Sequence, residues 1–144
     1  MEEELLEAVE KRREEGWIDA WFAFEVVAVT KEAAESAMKK HIEALENLRN
    51  VLVYEKTFQE IKEVEMKEYR IEKAYSKTAE VKLLLKDFET LVHVTVTFAP
   101  SAIEIYSPEK LEIKINELQN ISNMLAGLMH QFASARLGGV VIKT

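Results

Sequence analysis

A chain of 144 residues with a net charge of −7, 48% hydrophobic and 31% charged, has the length of one domain and a globular rather than disordered balance. The acidic excess argues against a phosphate-binding surface, because nucleic-acid affinity rests on clustered lysine and arginine. Its basic clusters, Lys11-Arg12-Arg13 and Lys39-Lys40, are short and flanked by glutamates. With no cysteine, disulfides, iron–sulfur clusters and zinc ribbons are excluded.

In chain order, residues 2–15 read as a short acidic helix with Leu5, Leu6 and Val9 on one side and Gly16 placed to end it. Trp17 to Thr30 reads as a strand with Phe22, Phe24, Val26 and Ala28 on one face and Trp21, Ala23, Val27 and Val29 on the other. Apolar character on both sides marks a strand covered twice. Thr30 is a suitable N-cap for a helix with Ala34, Ala37, Met38, His41, Leu45 and Leu48 on its apolar face. Val51 to Tyr54 follows as a second strand, completing a βαβ unit. Phe58, Ile61 and Val64 then drift out of alternation, and Val81, Leu83 and Leu85 recover it. A long hairpin turning near Met66–Glu68 fits both halves.

Residues 88–99 carry two readings. Val92 to Phe98 alternates with β-branched residues, as a strand does. Phe88, Leu91, Val92, Thr95, Val96 and Ala99 also form a helical face, with Asp87 as N-cap and Pro100 beyond the end. Local propensity favours the strand; topology favours the helix, because a helix leading to a strand at Ala102–Tyr106 completes βαββαβ. The helix is the expectation adopted.

In the last helix Leu118, Ile121, Leu125, Leu128 and Phe132 recur at steps of three and four, and Met124 and Met129 widen the stripe. Asn116 with Gln119 suits its start, and Gly138-Gly139 its end, before an apolar tail at Val140-Val141-Ile142. A stripe this wide calls for two covering surfaces rather than one. The expected fold is α+β: one domain over residues 1–144, a ferredoxin-like antiparallel sheet with a βαββαβ core, an extra N-terminal helix and a long C-terminal amphipathic helix.

Chemistry is sparse. The one candidate acid–base pair is Glu25 with His41, a charge inside an apolar strand and a histidine on an apolar helix face; such a histidine more often bonds a carbonyl. His93 and His130 lie far from it in sequence, and no His-x-x-x-His or Glu-x-x-His spacing signals a metal. There is no Gly-x-Ser-x-Gly and no glycine-rich phosphate loop. No cofactor or metal is therefore expected. The longest apolar run, Ala20 to Val29, contains Glu25 and is too short for a bilayer, and the first residues are acidic where a signal peptide is basic. A soluble cytoplasmic protein is expected, with no membrane and no nucleic acid among its partners. Few Gly and Pro, many Glu and Lys and no Cys also fit a thermophile's usage. The reading that follows is a non-catalytic interaction or regulatory module. It forms a homodimer through Leu118, Ile121, Leu125, Leu128, Met129 and Phe132, and a protein partner is a further option. The competing reading is a small ligand-binding domain or enzyme with a pocket between sheet and helices that uses the Glu25–His41 pair.

Overall fold

The computed structural model describes residues 2–136; the Gly138-Gly139 stop and the apolar tail at residues 140–142 lie outside them. The described residues hold a mixed α+β arrangement of four helices and one five-stranded antiparallel sheet. They fall into two compact units, one up to Lys110 and one from Leu111.

The first unit runs α1 (Glu3–Glu14), β1 (Ile18–Ala28), α2 (Lys31–Glu46), β2 (Val51–Phe58), β3 (Lys62–Met66), β4 (Ile71–Leu85), α3 (Phe88–Phe98) and β5 (Ala102–Ser107). Strand order is β2-β4-β1-β5, and β3 pairs with β4. The long β4 takes β1 along one edge and β2 and β3 along the other, every pair antiparallel. Helix α1 ends as expected: Gly16 sits at φ 90°, its N–H donates to Arg13 and that of Trp17 to Arg12, closing the last turn.

Strand alternation sorts β1 into two faces. Ile18, Ala20, Phe22 and Phe24 point into a core with Met38, Ile42 and Leu45 of α2, Val81, Leu83 and Leu85 of β4, and Val94 and Phe98 of α3. Asp19, Trp21, Ala23 and Glu25 point the other way. On that second face Asp19 stands opposite Leu84, which is fully buried although it is not part of the helix-side core. Val9 of α1 is fully buried too, and α1 packs on β2 and β4. The sheet is thus covered on both faces near its Leu84 end.

Both helix starts are capped as the sequence requires. The Thr30 hydroxyl accepts from the Ala33 N–H at 3.0 Å. The Asp87 carboxylate accepts from the N–H and hydroxyl of Thr90 at 2.9 and 2.6 Å. Residues 88–98 are helical despite their β-branched run, because cap, Pro100 stop and burial of Val94 and Phe98 outweigh local propensity. The Thr95 hydroxyl bonds back to the Leu91 carbonyl at 2.7 Å, satisfying inside the helix a group that suits strands.

The irregular middle resolves into two strands. Phe58 ends β2, four residues beyond the expected end at Tyr54, and Val64 lies in β3. The register of β2 on β4 shifts between Val53 and Glu55, which leaves Tyr54 as the extra residue of a bulge. The β3–β4 connection is a 3₁₀ turn at Lys67–Tyr69 followed by Arg70 at φ 55°. A left-handed position held by arginine explains why no Asn-Gly or Asp-Gly marks this hairpin. The second unit contains α4 (Ile115–Arg136), an amphipathic helix of 22 residues.

Candidate functional site

The most developed polar cluster lies where α1 meets the second face of the sheet. Asp19 enters β1 between the buried Ile18 and Ala20 and is itself buried. Its Oδ1 accepts from the Tyr54 hydroxyl at 2.6 Å, and its Oδ2 from Arg13 Nε at 3.0 Å. The Arg13 guanidinium also lies over the Tyr54 ring, 5.4 Å from its centre. The β2 bulge is what frees Tyr54 to reach across β4 to Asp19. Burial works against the charge on Arg13, but Asp19 and the Tyr54 hydroxyl outweigh it and its pKa is raised. Burial, then the hydrogen bond and negative charge of Asp19, push Tyr54 up to about 12.

This cluster holds α1 against the sheet and has a pH signature. Tyr54 ionises near 10 when unfolded and near 12 when folded, so its neutral form is favoured by the fold. Its contribution is fully present below pH 10 and is lost as the pH rises from 10 to 12. Urea midpoints measured across that window should fall with pH, and Tyr54→Phe should flatten the fall. Tyr54 is only half-buried, so solvent screening reduces the effect below the full linkage value.

Glu25 and His41 are not brought together. His41 turns inward from α2: its ring makes edge contacts with Phe24 and Phe98, both at 5.1 Å between centres. Its Nε2 lies 2.9 Å from the Phe98 carbonyl. A carbonyl only accepts, so Nε2 carries the proton. Ala99 turns left-handed at φ 47° immediately after α3, and the Phe98 carbonyl is one of the groups that a helix end leaves unsatisfied. His41 therefore ties α2 to the end of α3. Glu25, one residue along from Phe24, emerges on the opposite face and accepts from the Ser76 hydroxyl at 2.7 Å. His93 on α3 and His130 on α4 are exposed. Among the described residues no three His, Cys, Asp or Glu side chains are grouped so as to hold a metal ion. Trp17 packs under Arg12, 5.0 Å from its ring centre, and Trp21 is half-buried.

On α4, Leu118, Leu125, Met129 and Phe132 are 47%, 42%, 55% and 56% exposed, whereas Ile121 is buried and Leu128 half-buried. The Asp19 cluster was missed in the sequence, although aspartate inside an apolar strand start is itself unusual. Nothing in the spacing pointed to Tyr54 as its partner, because a bulge sets that contact.

An antiparallel sheet with helices on both faces in the first unit, and in the second a helix that exposes an apolar stripe, define an α+β protein. Residues 19–143 match the model of the MJ0538 family, and the chain belongs to that family. The match begins at Asp19, after α1. No curated protein and no solved structure matches the chain. Among the described residues no helix is long and apolar enough to cross a membrane.

Proposed function

We propose that the protein is a non-catalytic interaction module that forms a homodimer through α4. The observation that carries this reading is the exposed stripe of Leu118, Leu125, Met129 and Phe132. Leu118, Leu125 and Phe132 recur every seven residues, with Ile121 and Leu128 between them at the d-type positions of a heptad. Exposed apolar residues at heptad spacing suit a second helix of the same kind, and a two-fold contact is the commonest way to supply one. For the first unit we propose a ferredoxin-like βαββαβ arrangement. The strand order β2-β4-β1-β5 supports it, with β3 as an extension on β4. A cysteine-free, acidic chain suits the cytoplasm, where we place it, and its lysine- and glutamate-rich usage suits a thermophile.

Size exclusion coupled to light scattering tests the association: a mass of at least twice 16.6 kDa is expected at micromolar concentration. A protein that stays monomeric at high micromolar concentration refutes it. Gly127 takes no part in the seam, although its small size next to Ala126 suggests a helix contact. It lies nine residues after Leu118, half a turn away at about 100° per residue. A methyl group placed there meets nothing within 4 Å. Gly127→Ala is therefore expected to stabilise α4 by about 0.5–1 kcal/mol and to leave the mass unchanged.

A further inference from the structure

We propose that the groove between α2 and the β2 side of the sheet binds a small zwitterion with an apolar side group, of the size of phenylalanine or leucine. The groove lies wholly within the first unit, so the inference stands apart from self-association. Phe58 pairs in register with the inward-facing Ala79, which puts its ring on the helix side of the sheet. At the end of β2 it is 45% exposed, an unusual state for phenylalanine. Its ring is the exposed apolar surface of a cavity of about 370 Å³, beneath which Ile42 of α2 lies buried. That volume falls within the range of small-molecule sites, roughly 300–1,000 Å³.

The charges around this cavity select the ligand. Glu35, Lys39, Glu43 and Glu46 stand on the α2 wall, and Lys56 and Lys77 on the sheet side. Lys56 and Glu46 cancel, bonded at 3.0 and 3.1 Å. Lys77 donates to the carbonyl of Gln59, a neutral acceptor, and keeps both its charge and two further donors. Two lysines and two glutamates thus remain on the rim with no net charge. A simple anion meets Lys39 and Lys77 but is opposed by Glu35 and Glu43. A simple cation meets the reverse. A molecule carrying one carboxylate and one ammonium satisfies both signs, and its apolar group covers Phe58.

Amide NMR titration of the full chain with L-phenylalanine tests this. Saturable shifts are expected at Ile42, Phe58 and Lys77 below about 10 mM. N-acetyl-L-phenylalanine lacks the ammonium and phenethylamine lacks the carboxylate. Each should bind at least about tenfold more weakly, as loss of one charge-assisted hydrogen bond implies. Phe58→Ser and Lys77→Gln, both at solvent-accessible positions, should weaken L-phenylalanine about tenfold or more, while Glu80→Gln on the other face should not. Absence of shifts at these residues, equal binding of the single-charge analogues, or unchanged affinity in Phe58→Ser would each overturn the proposal. Mass by light scattering is read independently, so failure here and failure of the dimer are distinguishable.

Discussion

Replacing Leu125 with glutamate is expected to bring the protein to a monomer of 16.6 kDa while leaving its helix content unchanged. Leu125 lies midway along the stripe and is 42% exposed within the chain, so its loss opens no cavity in the chain's own core. In a two-fold contact every substitution acts twice, and residues near the axis meet their own copies. Fully covering such a side chain is worth about 1.5–3 kcal/mol, and since Leu125 is already more than half covered within the chain, the pair of leucines together removes about that much from association. Two carboxylates must then be desolvated in an apolar seam, which adds to the loss. Asn123→Glu, on the far side of α4 by helical spacing, should leave the mass as it was. A Leu125→Glu protein that keeps the wild-type mass, with that mass at least a dimer, moves the interface away from α4.

What could be read in the chain follows what is local. Caps and stops located α1, α2 and α3, because Gly16, Thr30, Asp87 and Pro100 act on neighbouring backbone groups through short, stereotyped contacts. Periodicity alone located α4, which begins at Ile115 and so takes in Asn116, the expected cap. Residues 88–98 show the limit of propensity: a run of valine and threonine forms a helix because its surroundings need one there. The course of residues 51–66 was less legible. A bulge at Tyr54 and a left-handed Arg70 decide where β2 ends and β4 begins, and neither position carries a residue type that announces it. The Asp19–Tyr54 bond depends on that same bulge. Glu25 and His41 illustrate a different limit. An apolar strand followed by an apolar helix face implies proximity of the two elements, but one residue of register separates Phe24, which meets His41, from Glu25, which does not. The groove beside Phe58 was equally hidden, since the register that follows the Tyr54 bulge is what puts Phe58 on the helix side of the sheet.

Coverage of both sheet faces has a measurable consequence for stability. Phe22→Ala should cost about 3–5 kcal/mol, because Phe22 is fully buried among α2, α3 and β4 and leaves a cavity that rigid neighbours cannot fill. That is a large part of the roughly 5–15 kcal/mol that holds an ordinary domain together. Leu84→Ala is the sharper test. Leu84 faces away from the helix-side core, and without α1 over it the change would be a surface substitution worth within about 0.5 kcal/mol. With α1 held down by Val9 and by the Arg13–Asp19–Tyr54 cluster, Leu84 is fully buried and its truncation should cost about 2–5 kcal/mol. Urea unfolding with an unchanged slope reads both values directly. Val9→Ala in the Leu84→Ala background should then cost less than in the wild type, because neighbours around one shared cavity do not contribute independently. A small loss for Leu84→Ala, with strict additivity to Val9→Ala, would mean that α1 does not cover this face.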